Sequence, residues 1–159
     1  MNLSLEADLL PKTHAGGGEA DIVWKYEQTA NYPKHDLLIE ATLSESTNQR
    51  RMEMEPVSRH LGDYILTHQD INTYCIFITN FLHINVIADF RGRKDTIYYN
   101  SDGSDYVQGM MITPLETDIL IKILEKKIYY PELYKVFNTQ HKKLLAPKEW
   151  YEDLVNKIE

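Results

Sequence analysis

The sequence has few of the features that mark exported, membrane-bound or disulfide-stabilised proteins. It contains one cysteine in 159 residues, so no internal disulfide can form, as is typical of proteins in a reducing cytosol. No apolar run approaches the roughly 20 residues that a membrane-spanning helix needs. The N-terminus lacks a basic region followed by an apolar signal stretch. These absences predict a cytoplasmic protein without a membrane anchor.

An excess of basic residues is also missing. The chain has 17 lysines and arginines against 24 aspartates and glutamates, which gives a formal net charge of −7. This negative net charge argues against a protein that binds nucleic acid over its whole surface. It permits a catalytic module that acts on DNA if another chain or domain supplies the DNA-binding surface. It also suits a site that concentrates carboxylates.

The length and the order of the patterns predict a single α/β domain over residues 1–159. Strands are predicted over 19–26, 36–43 and 73–78, and two short strands over 96–112 around the turn 100–103. Helices are predicted over 85–91, 113–127, 131–143 and 147–158, and from a first turn that contains Pro56 to about residue 68. The helix over 113–127 opens on Thr113-Pro114-Leu115-Glu116, which has the pattern of a capping box. Together these elements predict a short mixed sheet flanked by helices, with Cys75 buried in a central strand.

Two carboxylates stand on neighbouring predicted strands. Glu40 lies in the apolar segment 38–42, and Asp21 is followed by Ile22 and Val23. Two close carboxylates repel each other, and a divalent cation relieves that repulsion. Mg²⁺ needs only one or two such ligands because it keeps several waters. Either acid alone would more often be a surface group, but the pair on adjacent apolar strands favours a metal site.

A charged block, residues 49–60, follows the second carboxylate. Glu53 comes thirteen residues after that carboxylate, and His60 comes seven residues later, about two helical turns. Taken alone, the block is typical of a charged helix start with a partly solvated histidine. Beside the carboxylate pair, Glu53 would complete a metal site and His60 would bind a phosphate or relay a proton. Arg51 and Arg59 would neutralise a phosphodiester.

The order of these residues resembles the PD-(D/E)XK nuclease superfamily, and more narrowly the cleavage domain of AlwI-type, Type IIS restriction and nicking endonucleases. The likeness spans about residues 16–61, from the glycines at 16–18 through both acidic strands to the charged block. It implies a restriction-endonuclease-like core that hydrolyses DNA phosphodiesters with Mg²⁺, for which Mn²⁺ would substitute. By this resemblance the catalytic residues would be Asp21, Glu40, Glu53 and His60, of which the three acids would hold the metal.

The sequence departs from the superfamily pattern at two places. The usual lysine falls at Thr42, although the narrower family often dispenses with that lysine. The earlier acid that many relatives carry on an upstream helix would be Glu6 or Asp8, and the residues do not decide between them. The N-terminus is also too short for a separate DNA-recognition domain. We therefore expect a recognition domain or a second subunit to be supplied elsewhere.

The resemblance thus implies a metal-dependent endodeoxyribonuclease module that acts on double-stranded DNA in a bacterial or archaeal cell. One site of this kind cuts one strand, so cleavage of both strands would require a dimer or a second subunit. The alternative is a non-catalytic or inactive nuclease-fold subunit that docks on a partner protein or a DNA complex. The retained acids argue against that alternative. Paired carboxylates also serve glycosidases, but the arginines of the block favour a phosphate substrate.

Other motifs are interpreted without a catalytic role. No Gly-Lys-Ser/Thr follows the glycines at 16–18, which excludes a nucleotide P-loop. Several histidines lack metal-ligand spacing and are interpreted as structural or solvated, namely His14, His35, His68, His83 and His141. Five tyrosines are interpreted as packing residues rather than as base-stacking residues, namely Tyr98, Tyr99, Tyr129, Tyr130 and Tyr134.

Overall fold

The computed structural model of the protein describes residues 12–13, 20–43 and 49–159. The glycines at 16–18, His14 and the candidate acids Glu6 and Asp8 lie outside these ranges. No helix within them combines the length and the apolar character needed to cross a bilayer. The elements are β1 (Lys12–Thr13), β2 (Ile22–Tyr26), β3 (His35–Thr42), α1 (Gln49–Thr67), β4 (Asn72–Thr79), α2 (Ile84–Gly92), a 3₁₀ turn (Arg93–Asp95), β5 (Ile97–Tyr99), β6 (Tyr106–Gln108), β7 (Ile112–Glu116), α3 (Thr117–Glu125), α4 (Tyr130–His141) and α5 (Pro147–Ile158).

Five strands form a mixed sheet in the order β1-β2-β3-β4-β7. β2 runs antiparallel to both β1 and β3, whereas β4 runs parallel to both β3 and β7. Helix α1 makes the crossover from β3 to β4, as parallel neighbours require. The predicted mixed sheet flanked by helices is confirmed. The predicted central strand is confirmed as β4, in which Cys75 and Phe77 are buried.

Alternation along β3 separates the two layers of helices. Glu40 faces α1, whose His60 it contacts. On the opposite face, Leu37 borders the same small apolar cavities as Tyr130 and Phe137 of α4. Because side chains of a strand alternate between faces, one strand serves both layers. Burial of apolar side chains on both faces is the main stabilising contribution to such a sheet.

An aromatic cluster fills the α4 face at the start of β3. His35 is fully buried there, and its Nδ1 lies 2.8 Å from the Pro33 carbonyl oxygen. Its Nε2 lies 2.6 Å from the hydroxyl oxygen of Tyr130. The rings of Tyr26 and Tyr130 stack with centroids 3.9 Å apart. Tyr134 also contacts the His35 ring, so tyrosines from β2 and α4 enclose this imidazole.

The tyrosines predicted as packing residues differ in their burial. Tyr98, on the β5–β6 hairpin, donates its hydroxyl to Asp63 of α1 at 2.7 Å. A Cβ atom at Gly62 would come within 2.3 Å of the Tyr98 ring, so glycine allows the hairpin to lie close to α1. Tyr99 and Tyr129, in contrast, are more than half exposed. The Tyr99 ring contacts Tyr106 across the hairpin with centroids 6.0 Å apart, and for Tyr129 the packing interpretation stays a prediction.

The prediction that Pro56 opens a helix is wrong, because α1 begins at Gln49 and Pro56 lies inside it. A proline in a helix interior removes one backbone hydrogen bond and costs about 3 kcal/mol. On either side of Pro56, Met54, Val57 and Leu61 are buried against the core, and their burial offsets that cost. Tertiary packing therefore extends the helix through a residue that disfavours it locally.

The predicted capping box at Thr113-Pro114-Leu115-Glu116 is also wrong. These residues belong to β7, and the helix that follows begins only at Thr117. β7 is an edge strand that pairs with β4 on one side, with Pro114 opposite Phe77. Proline is tolerated on an edge strand because its missing N–H need not serve a second neighbour. Strand pairing overrode the local helix-start pattern.

The two C-terminal helices, predicted over 131–143 and 147–158, are confirmed as α4 and α5. Trp150 of α5 is buried, and its indole N–H donates to the Gln140 carbonyl at 2.7 Å. The Arg91 guanidinium lies 4.5 Å from the centre of the Trp150 ring and donates to the carbonyls of His141 and Lys143. These contacts connect α5 to both α4 and α2.

Candidate active site

Asp21 and Glu40 lie opposite each other on one side of the sheet. The β2–β3 register pairs Ile22 with Ile39, so Asp21, one residue earlier, stands across from Glu40. Directly opposed residues of antiparallel strands project to the same face, with Cβ atoms about 5 Å apart. Asp21 Oδ2 also accepts the backbone N–H of Ala41 at 2.8 Å, which holds its carboxylate against β3.

Glu40 is a buried acid, only 6% exposed, with a histidine as its partner. His60 Nδ1 lies 2.6 Å from Glu40 Oε1. Burial raises the pKa of Glu40 above its ordinary value, and the charge of Asp21 acts in the same direction, while the hydrogen bond with His60 opposes both. Burial and the neighbouring Asp21 charge therefore disfavour the ionised form of Glu40, and a bound cation would stabilise that form.

Glu53 meets the same end of β3 through a different contact. Thr42, two residues after Glu40 and on the same face, donates its hydroxyl to Glu53 Oε1 at 2.8 Å. Glu53 and His60 both face the sheet because their seven-residue spacing is two turns of α1. In the sequence, Thr42 stands out only because it occupies the position of the usual lysine. No local pattern predicts its hydrogen bond to Glu53.

The three acids do not form one compact cluster. Within the described residues, no group of three or more histidine, cysteine, aspartate or glutamate side chains is placed to hold a metal ion. Asp21 and Glu40 form the adjacent pair, and Glu53 is bonded to Thr42 at the strand end. Two carboxylates nevertheless suffice for Mg²⁺, which takes hard oxygen ligands and keeps several waters. The repulsion between the pair is what such an ion would relieve, so these residues fit a divalent cation.

The structure describes the side chain of only one of the two candidate arginines. Arg59 donates to Glu55, one turn away on α1, at 2.9 Å, and both side chains are partly or largely exposed. The side chain of Arg51 lies outside the described part of the chain. Their suggested role with a phosphodiester therefore stays a prediction.

The charges of the acid pair act on Cys75, whose environment does not favour a nucleophilic thiolate. Burial raises the pKa of its thiol well above the ordinary value, and the charges of Glu40 and Asp21 raise it further. The reactive form of a cysteine is the thiolate, which this environment disfavours. The interpretation of Cys75 as a buried core residue is confirmed.

Other histidines are separate from the acids. His35 lies on the opposite face of β3, within the aromatic cluster. His68 stacks on Tyr64 near the end of α1, with ring centroids 3.9 Å apart. His83 accepts the backbone N–H of Asn85 at the start of α2.

Comparison with known proteins finds similarity both to a sequence family and to solved structures. The sequence profile of the AlwI restriction endonuclease family matches residues 1–123. Among solved structures, the chain is similar to the small subunit (R.BspD6I2) of the heterodimeric restriction endonuclease R.BspD6I, with a TM-score of 0.68. That match covers 91% of this chain and 72% of the other at 19% identity, so it establishes a shared fold. No curated protein sequence matches the chain significantly.

Proposed function

The chain belongs to the AlwI restriction endonuclease family, and on that premise we propose that it is a metal-dependent endodeoxyribonuclease module that hydrolyses DNA phosphodiester bonds. The observation that carries the proposal is the pairing of Asp21 with Glu40 on one face of the sheet. Two opposed carboxylates, one of them buried against a histidine, form a donor set for a hard cation at the end of a strand.

Asp21 and Glu40 would hold Mg²⁺, and Mn²⁺ would substitute because it accepts the same oxygen ligands. When bound, such an ion polarises a phosphoryl oxygen and lowers the pKa of a coordinated water. The backbone N–H of Ala41 fixes Asp21 Oδ2, so the Asp21 carboxylate is oriented before a ligand binds. Preorganised ligands of this kind avoid a reorganisation cost during the reaction.

His60 would act on Glu40. Its Nδ1, 2.6 Å from Glu40 Oε1, fixes one carboxylate oxygen and leaves the other oxygen for the cation. The other ring nitrogen of His60, Nε2, is buried and has no hydrogen-bond partner within the described residues. A buried histidine nitrogen without a partner is unfavourable unless a ligand or water supplies one. We assign His60 to orienting Glu40 and to holding a proton at Nδ1.

Glu53 would extend the acidic site toward the strand end. Its Oε1 accepts the Thr42 hydroxyl, and Oε2 is the oxygen that would meet a second cation or a coordinated water. This role would compensate for the absence of a lysine at position 42. Removal of Glu53 should therefore weaken cleavage less than removal of Asp21 or Glu40.

We also propose that sequence recognition and the second active site come from another protein or domain. The net charge of −7 gives this chain no general attraction for DNA. The structural likeness to a small subunit of a heterodimeric restriction enzyme supports a module that works with a partner subunit. The buried single thiol suits the reducing interior of a bacterial or archaeal cell.

The decisive experiment uses supercoiled plasmid with Mg²⁺ or Mn²⁺. The wild-type chain should nick it with little sequence preference, and Glu40→Gln should abolish nicking while circular dichroism shows an unchanged fold. Glu27→Gln is the matched control because Glu27 is an exposed acid near Lys34 on the surface. Nicking that survives in Glu40→Gln would remove Glu40 from the mechanism.

Calorimetry separates this proposal from a docking subunit without activity. Binding of Mn²⁺ that disappears in Glu40→Gln supports the nuclease. A chain that shows no cation binding dependent on Asp21 or Glu40, and no nicking, would instead be the inactive, docking form.

A further inference from the structure

Thr42 is the last residue of β3 and contacts α1. It lies two residues after Glu40 on the same face of β3, and its hydroxyl donates to Glu53 Oε1 at 2.8 Å. Both side chains are partly buried, so the bond is shielded from bulk water to some degree. A hydrogen bond to an ionised carboxylate is stronger than one between neutral groups.

Glu53 needs such a contact to stay near the strand end. A glutamate side chain has three rotatable bonds, and fixing it costs conformational entropy. Glu53 lies in the early part of α1, before Pro56, and Thr42 is on the strand it faces. A donor on the sheet therefore restricts the carboxylate of a flexible side chain that begins on the helix.

We infer that Thr42 is a positioning residue that restrains Glu53 at the end of β3, on the face of the strand that carries Glu40. Its hydroxyl engages Oε1, and this restraint directs Oε2 toward a divalent cation or a water coordinated to it. Thr42 itself contacts neither substrate nor cation in this role. The inference rests on the proposed function, because the site that Thr42 serves is the proposed cation site.

The test compares two substitutions that differ in the hydroxyl. Thr42→Val keeps the shape and the β-branched backbone preference but removes the donor, whereas Thr42→Ser keeps the donor. We expect Thr42→Val to weaken Mn²⁺ binding in calorimetry roughly 10-fold and to lower kcat for plasmid nicking by a similar factor. KM for plasmid should change by less than about twofold, and Thr42→Ser should stay within about threefold of wild type in each measurement.

Thr79→Val is the matched control. Thr79 is paired with Thr42 across β3 and β4, so the same substitution removes a hydroxyl at the same level of the sheet. The Thr79 hydroxyl donates to the Phe81 carbonyl rather than to an acid. We expect Thr79→Val to lower thermal stability without altering Mn²⁺ affinity or kcat.

A double-mutant cycle tests whether Thr42 acts through Glu53. If it does, adding Thr42→Val to Glu53→Gln should change Mn²⁺ affinity by less than about twofold, because the carboxylate it positions is gone. Additive effects in the cycle would overturn the inference, and so would wild-type affinity and kcat in Thr42→Val. Either result would leave the nuclease proposal intact if Glu40→Gln is inactive. A wild-type chain that neither binds Mn²⁺ nor nicks DNA would overturn both.

Discussion

A histidine lies against each face of strand β3, and the two differ in their partners. On the α1 face, His60 Nδ1 lies 2.6 Å from a carboxylate oxygen of Glu40. On the α4 face, His35 Nε2 lies 2.6 Å from the hydroxyl oxygen of Tyr130. The distances are equal, but the first contact stands beside a second acid at the strand end, whereas tyrosine rings enclose the second. Hydrogen-bond length therefore does not distinguish a candidate catalytic histidine from a structural one, and the surrounding charges do.

Removing a charge from the acidic face should give the largest effect. Asp21→Asn keeps an oxygen that accepts the Ala41 N–H but loses the negative charge. We expect plasmid nicking to fall at least about 1000-fold, equivalent to ~4 kcal/mol of transition-state stabilisation. The denaturation midpoint in urea should stay close to that of wild type. A loss of stability that accounts for the lost nicking would contradict the assignment of Asp21 to chemistry.

Removing the histidine of the aromatic face should have the opposite profile. His35→Ala leaves a cavity in a fully buried cluster, and we expect it to lower the free energy of unfolding by about 3 kcal/mol. The nicking rate per folded molecule should not change. Urea denaturation followed by tryptophan fluorescence measures the first quantity. A rate loss larger than the unfolded fraction explains would mean that the two faces are coupled.

The corresponding change on the α1 face is His60→Gln. If His60 orients Glu40, loss of the imidazole should lower the nicking rate about 10- to 100-fold, as is typical when a residue behind a metal ligand is replaced. The free energy of unfolding should change by less than about 1 kcal/mol. If His60→Gln and His35→Ala change the nicking rate and the free energy of unfolding in the same proportion, the two histidines do not have different roles.

A smaller change tests the hydroxyl alone. Tyr130→Phe keeps the ring that stacks on Tyr26 but leaves the buried Nε2 of His35 without its partner. We expect the free energy of unfolding to fall by about 1–2 kcal/mol, with nicking unchanged. No loss of stability would show that the ring contacts, rather than this hydrogen bond, hold the cluster.

The smallest effect concerns pH. Burial lowers the pKa of His35, and burial together with the charge of Arg91 lowers the pKa of His141 to about 4. Between the ordinary histidine value of 6.5 and about 4, the unfolded chain binds more protons than the folded chain, so stability decreases as pH falls. We expect His141→Gln to flatten this slope in urea titrations from pH 7 to 4. An unchanged slope would exclude His141 as a source of the pH dependence.

Much of the fold could be predicted because its strands carry strong local patterns. The apolar run around Cys75 predicted the central strand, and the alternating segments on either side of Pro33 predicted two adjacent strands. β7 could not be predicted, because Pro114 and Glu116 have a helix-start pattern and only pairing with β4 makes them a strand. Pro56 misled in the same way, because the burial of Met54, Val57 and Leu61 around it continues α1 through the proline.

The candidate site was predictable as a set of residues but not as an arrangement. The spacing of Glu40, Glu53 and His60 indicated a shared surface, and the structure brings Glu40 and His60 into contact. The spacing could not indicate that Glu53 forms a hydrogen bond with Thr42, because that contact depends on where α1 begins and how closely α1 approaches β3. The enclosure of His35 was equally hidden, because Tyr130 lies 95 residues away in the chain.

The boundary of the sequence family and the boundary of the folding unit differ in this protein. The family match ends at residue 123, before α4 and α5 begin. Yet Tyr130, Phe137 and Trp150 of those helices are all buried. A chain shortened at residue 123 would retain every proposed catalytic side chain while exposing the apolar residues that α4 covers on the sheet, such as Leu37. The proposed active site thus depends on a sheet that is packed in part by C-terminal helices outside the family match.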